Sequence, residues 1–200
     1  MFGFGQLIGI LKKNPKKIVF TEGEDPRILE ASSRLLASYF LHPILIGDEK
    51  RIADAAEESG FNIRGAEIID PEKFDKIDEM VELYCELRKK KGVTPDQARE
   101  ILKQANYFGT MLVKMGFADA LLGGATYSTA DTVRPALQLI KTKPGNNLVS
   151  SCFILVRPSA TGDNEVLAMG DCAININPTE DDLVEIAGET AKCARIFDVD

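Results

Sequence analysis

Strand-like and helix-like runs alternate from Lys17 to Lys141, and this restricts the fold more than any single motif does. Residues 17–23 (KIVFTEG) form a β-rich run closed by glycine. Residues 25–40 follow with Ile28, Leu29, Leu35 and Leu36 at helical spacing. Residues 42–47 predict a second strand, and residues 48–60 a helix stopped by Gly60. Residues 66–70 predict a third strand. Residues 74–91 predict one long charged helix with an apolar stripe of Ile77, Met80, Val81 and Tyr84. Thr94 caps a further helix, with Pro95 at its first position. Residues 118–124 predict a fourth strand, followed by helix to about Lys141. Such alternation specifies a doubly wound α/β unit with a mostly parallel sheet.

The pattern changes at residues 141–147 (KTKPGNN), a turn-rich break. Residues 147–158 and 165–175 read as two strands joined by a hairpin-type connection, SATGDN. Residues 176–197 read as an amphipathic helix capped by Thr179. The expected division is a first α/β domain over 1–144 and the start of a second over 145–200. No internal repeat or low-complexity segment interrupts it.

The 200 residues are 44% hydrophobic, enough for a sizeable core, and carry a net charge of −7. That charge argues against non-specific nucleic-acid binding, so anion recognition would need local positive groups. The N-terminal stretch MFGFGQLIGILKKNPKK has its lysines after the apolar run, opposite to a secretory signal, and reads as an amphipathic helix ending near Asn14 and Pro15. No apolar stretch is long enough to span a bilayer. A cytoplasmic location is the expectation. Cys85, Cys152, Cys172 and Cys193 make no CxxC pair, and His42 is the single histidine. A zinc site is therefore not expected, and the cysteines read as buried free thiols.

The glycines of GFGQLIG miss a dinucleotide fingerprint by one residue and follow no strand. GxxxxGK[ST], GxSxG and HExxH are all absent. Two stretches carry more chemistry. TEGEDPR (21–27) follows the first strand, where open α/β sheets collect ligands. Its acids and Arg27 would orient a substrate or one another; alternatively Asp25 simply caps a helix that has Pro26 at its first position. GGATYSTADTVRP (123–135) offers flexible backbone at Gly123 and Gly124, hydroxyls at Ser128 and Thr129, and a cation at Arg134. Two readings are open: a phosphate cradle, or Ser128 and Asp131 as a capping box. The cradle is favoured because Arg134 near a helix start would oppose the dipole unless an anion were bound. On this reading Pro135 delays the regular helix, leaving 128–133 irregular. Arg88, in the basic end of the long helix, carries no chemistry by spacing alone.

TEGEDPR, ADALLGGATYSTADTVRPALQLIKT and MGDCAININPTEDDLVEIA, in that order, resemble the phosphate acetyltransferases across essentially the whole chain. The resemblance implies an isocitrate/isopropylmalate dehydrogenase-like α/β architecture with two domains around a cleft, and a homodimer. It implies reversible acetyl transfer between coenzyme A and phosphate by direct thiol attack in a ternary complex. No metal or tightly bound cofactor is implied, coenzyme A being a substrate. Substrate and phosphate binding would fall to Gly124, Ser128, Thr129 and Arg134, with Arg88 as the family's helix arginine. Members of that family continue past the position of Asp200 into a segment carrying the catalytic serine, arginine and aspartate. The catalytic residues are therefore expected outside this sequence, and the 200 residues alone are expected to be inactive. The alternatives are a non-catalytic acetyl-CoA-sensing domain of the same fold and a phosphate butyryltransferase.

Overall fold

The structure, a computed structural model, describes residues 4–158, 164–197 and 199. It divides into two compact units, Ile8–Lys141 and Thr142–Asp200 with Met1–Leu7. The chain begins with helix α1 (Phe4–Lys13).

The first unit is a three-layer α/β/α sandwich. Its strands are β1 (Lys16–Phe20), β2 (Leu41–Ile46), β3 (Glu67–Ile69) and β4 (Ala120–Leu122). They are all parallel, in the order β3-β2-β1-β4. Successive strand side chains point to opposite faces, so the inner strands β1 and β2 serve two cores, while β4 leaves Ala120 and Leu122 exposed. Val19, Ile44 and Ile46 face α4 (Ile77–Leu87), α5 (Pro95–Leu102) and α6 (Ala105–Lys114), packing with Met80, Tyr84, Phe108 and Leu112. Phe20 and Leu45 face α2 (Pro26–Ser38) and α3 (Glu49–Ser59), packing with Ile28, Leu29 and Ile52. This two-sided burial explains why the strands read as continuous apolar runs.

Local chemistry sets most boundaries as the sequence predicts. Asp25 caps α2 with Pro26 at the first position, and Gly60 ends α3 in the left-handed region. Thr94 and Gln97 form a reciprocal capping box on α5. The long helix expected over 74–91 is shorter. The Asp70 carboxylate accepts the Glu72 N–H and the Asp70 carbonyl that of Lys73, curling the chain into turns before α4. Arg88 then leaves helical backbone values, and Lys89–Lys91 tightens into a 3₁₀ turn ending at Gly92. Between α5 and α6, Gln104 is extended, a break that the continuous apolar periodicity conceals.

In the second unit β5 (Cys152–Pro158) and β6 (Asn164–Gly170) pair antiparallel, and α8 (Glu180–Ile196) lies along β6. Thr179 and Asp182 form the α8 capping box. Of the connection predicted at 159–164, residues 159–163 lie outside the described residues. Phe153 opposes Met169 and Leu155 opposes Leu167 on one face of this ribbon. All four are 44–58% exposed. A single helix on two strands cannot enclose both faces. For the same reason Cys152, Cys172 and Cys193 are not the buried thiols expected, and Cys85, on α4 of the first unit, is not fully buried either. All four are free and half-buried, with the Cys152 and Cys193 thiols in contact.

The turn after β6 is organised by Asp171. Its carboxylate accepts the Asn175 N–H at 2.6 Å and the Ser151 N–H at 2.9 Å, with further bonds from the Ser151 hydroxyl and the Asn175 amide. Burial pushes its pKa up, but these donors outweigh it and hold the carboxyl far below its ordinary value of 3.8. A group depressed in the folded state stabilises above its unfolded pKa and loses that contribution as pH falls through its folded value. Asp171→Asn is therefore expected to destabilise β5–β6 by about 2 kcal/mol at pH 7. The gap to wild type should persist down to pH 3.8 and close only below it. Native-state hydrogen exchange of β5 and β6 amides across pH measures this; a gap independent of pH below that point would show that charge is not the cause.

Candidate functional site

The strand order places a topological switch point at β1. The chain runs outward through β2 and β3, then returns to lay β4 on the opposite side of β1. The loops leaving β1 (21–25) and β4 (123–128) diverge there, and ligands of open α/β sheets bind beyond such strand ends. A cavity of about 420 Å³ opens between them, lined by Thr21, Glu22, Glu24, Asp25, Thr126 and Tyr127.

The two glycines after β4 are required by geometry. A Cβ on Gly123 would lie 2.7 Å from Thr21 Oγ1, and Gly124 has φ of +113°. With both in place the β4 loop turns its backbone N–H groups inward. The Gly124 N–H reaches the Glu22 carboxylate at 3.2 Å, the Thr126 N–H at 2.6 Å and the Tyr127 N–H at 3.2 Å. The Thr126 hydroxyl adds a bond at 3.1 Å, and the Thr21 hydroxyl another at 3.1 Å. Burial pushes the Glu22 pKa up, but the amides of Thr126, Tyr127 and Gly124 outweigh it and hold the group ionised below the usual range. The nest expected for phosphate is thus filled by a carboxylate from the chain itself.

The neighbouring acids are also committed. Asp25 caps α2 and makes a two-pronged pair with Arg27, whose guanidinium also donates to the Ala125 carbonyl at 2.7 Å. Glu24 pairs with Arg51 rather than Arg27.

Residues 129–133 are helical rather than irregular, with Ser128 extended before them. α7 (Thr129–Pro135) starts at Ser128, whose Oγ accepts the Asp131 N–H at 3.2 Å and donates to the Asp131 carboxylate at 2.6 Å. Ser128 is thus the cap, with Asp131 as its partner three residues on. Pro135 fits inside because its missing N–H has a substitute. The carbonyl of Asp131, which residue 135 would normally bond, accepts the side-chain amide of buried Asn106 at 2.7 Å. The helix continues as a π-helical turn over Ala136–Ile140. Arg134 therefore lies past the first turn of a helix that runs on to Ile140, where the N-terminal dipole end no longer acts on it, so its position does not call for a bound anion. What marks Arg134 is availability. It is 58% exposed, and its ion pair to Asp131 is long, at 3.8 Å, while Asp131 is already held by Ser128. Ser128 and Thr129, at the start of the same helix, are exposed too.

Arg88 ends α4, with its Nε buried and unbonded. It lines a hollow of about 790 Å³ with Lys89, Lys91, Leu137, Gln138 and Lys141. Gln138 is one helical turn beyond Arg134. Arg88 thus faces the π-helical turn from α4, while Arg134 does not line this hollow. Gly124, Ser128 and Thr129 precede Arg134 on the loop and first turn.

Among the described residues no cluster of three or more His, Cys, Asp or Glu could hold a metal ion. Glu22 and Asn106 are what sequence reasoning missed. The Glu22 signal was its place directly after a strand, opposite a double glycine.

A family model described as phosphate acetyl/butaryl transferase matches residues 4–200. The phosphate acetyltransferase of Bacillus subtilis (strain 168) is 48% identical over 184 residues, covering 92% of this chain and 55% of that protein. That of Nitratidesulfovibrio vulgaris is 42% identical over 200 residues, covering the whole chain and 28% of its own length. A phosphotransacetylase crystal structure from Streptococcus pyogenes superposes with a TM-score of 0.88 at 43% identity, over 99% of this chain and 60% of that one. The chain therefore spans little more than half of the Bacillus subtilis relative. The double-glycine turn, the Ser128-capped helix and the parallel switch-point sheet stand inside a match that runs almost end to end, and the chain belongs to the phosphate acetyl/butaryl transferase family.

Proposed function

We propose that this chain supplies the phosphate- and coenzyme A-gripping part of a phosphate acetyltransferase, which exchanges acetyl-CoA and phosphate for acetyl phosphate and coenzyme A. The observation that carries the reading is the exposed group of Ser128, Thr129 and Arg134 at the switch point, with Arg134 tied only loosely. The guanidinium is a donor-only group of the kind a phosphoryl group requires, the Thr129 hydroxyl adds a donor, and the Ser128 hydroxyl adds another once it turns from the Asp131 carboxylate to the ligand. Gly124 gives the loop its turn, and Arg88 adds positive charge along the same helix. The reaction is direct attack of the thiol on the acetyl carbonyl in a ternary complex, with no tightly bound cofactor. The names of the 42–48% identical relatives favour acetyl over butyryl transfer and an enzyme over a sensing domain.

The reading extends to a cytoplasmic homodimer that binds neither nucleic acid nor membrane. The net charge of −7 supports the first exclusion. For the second, no helix among the described residues is long and apolar enough to cross a membrane. The exposed Phe153–Met169 face supports self-association.

Titration with inorganic phosphate and then coenzyme A, followed by backbone and Arg side-chain NMR, tests the site. Phosphate is expected to shift Ser128, Thr129 and Arg134, and coenzyme A to extend the shifts to Arg88. Shifts confined to other surfaces would reject it.

A further inference from the structure

We propose that Glu22 is a positioning residue for acetyl transfer: its carboxylate fixes the β4–α7 loop and thereby aims Ser128, Thr129 and Arg134 at the phosphoryl group. This rests on the function proposed above. The loop is gripped in both hydrogen-bonding senses from the β1–α2 side. Glu22 takes the N–H groups of Gly124, Thr126 and Tyr127, and Arg27 donates to the carbonyl of the intervening Ala125. Four consecutive residues, Gly124 to Tyr127, are thus held by two side chains, Glu22 from the loop after β1 and Arg27 from the first turn of α2. Ser128 follows immediately and is the cap from which α7 starts. A shift of this loop therefore moves the helix start that carries Ser128 and Thr129, and with it Arg134 one and a half turns along.

Glu22 acts through these donors without needing to touch the phosphoryl group. Inward N–H groups of this kind select an anion, and here the anion is built in. The nest is consumed, which leaves phosphate recognition to the side chains of α7. A second carboxylate would not replace Glu22 from the neighbourhood, because Glu24 and Asp25 are tied to Arg51 and Arg27. Shortening or neutralising the side chain disturbs the loop without altering any side chain assigned to phosphate.

The test compares wild type, Glu22→Ala, Glu22→Gln and Glu22→Asp on this chain, using inorganic phosphate as the probe. Glu22→Ala is expected to raise hydrogen exchange at Gly124, Thr126 and Tyr127, to shift the backbone signals of 128–134, and to weaken phosphate binding at least about tenfold. Formate, which supplies the missing carboxylate, should restore the exchange protection and part of the phosphate affinity in Glu22→Ala and change neither in wild type. Glu22→Asp should lie between wild type and Glu22→Ala, and so should Glu22→Gln. A merely structural role would lower stability while leaving phosphate affinity of the folded protein unchanged, and that result overturns the proposal. Tighter phosphate binding by Glu22→Ala also overturns it, by making Glu22 a competitor. A wild-type chain whose residues 128–134 do not respond to phosphate overturns the function and this assignment together. A responding wild type with an unchanged Glu22→Ala overturns this assignment alone.

Discussion

Arg134→Ala, in a chain extended to the length of its Bacillus subtilis relative, is expected to lower kcat/KM for acetyl transfer at least ~100-fold. A charge-assisted contact to a phosphoryl group contributes several kcal/mol in a site shielded from water. In the structure Arg134 has no competing strong partner. Asp131 is 3.8 Å away and accepts a 2.6 Å bond from Ser128. The side chain is therefore free to be recruited, and little intramolecular bonding is lost when it turns to a ligand. Since Arg134 is exposed near the end of a short helix, its removal leaves no cavity, and the fold should survive unchanged. Arg134→Lys should recover part of the activity, because the charge returns without the planar fork. Steady-state kinetics with phosphate as the varied substrate measure this. An alanine variant with near-normal constants would remove Arg134 from the site.

The 200 residues by themselves are expected to give no measurable acetyl-CoA. Thiol attack on an acetyl carbonyl needs a group to accept the thiol proton within hydrogen-bond reach. Each carboxylate around the switch point is already committed. Glu22 is held ionised by inward N–H groups, Asp25 caps α2 and pairs with Arg27, Glu24 pairs with Arg51, and Asp131 is bound to Ser128. A carboxylate whose pKa is held low, such as Glu22, is also a poor proton acceptor near neutral pH. A coupled assay on purified chain, with the Bacillus subtilis enzyme as reference, measures the outcome. Turnover within about tenfold of that reference would locate the base inside this chain and overturn this account.

The sheet was legible because its inner strands, β1 and β2, are buried on both faces. Ile18, Val19 and Phe20, and Ile44, Leu45 and Ile46, read as unbroken apolar runs between helix periods, and Asp25, Gly60, Thr94 and Thr179 mark helix ends by their own side-chain or backbone chemistry. The site was legible only in outline. The sequence places two glycines, two hydroxyls and an arginine together, but not the partner that consumes the inward N–H groups. Glu22 meets Thr126 across 104 positions, and no local pattern records such a contact. The start of α7 was misplaced for a similar reason. Pro135 is a helix breaker by local rules, and its tolerance depends on Asn106, a residue from another helix. In the second unit, the strand-like runs at 147–158 and 165–175 predicted a ribbon, which the structure confines to β5 and β6, but not how little of it one helix would cover.

The Asn106 amide that stands in for the N–H lacking at Pro135 makes one codon conditional on another, in one direction only. A carbonyl oxygen has two lone pairs, so a residue with its own N–H at position 135 could bond Asp131 beside the Asn106 amide. Were Asn106 to become apolar while Pro135 stayed, the Asp131 carbonyl would be stranded away from water. In a lineage of related sequences, position 106 should therefore drift only after position 135 has changed, and α7 should keep its register through such exchanges even where its surface residues vary freely.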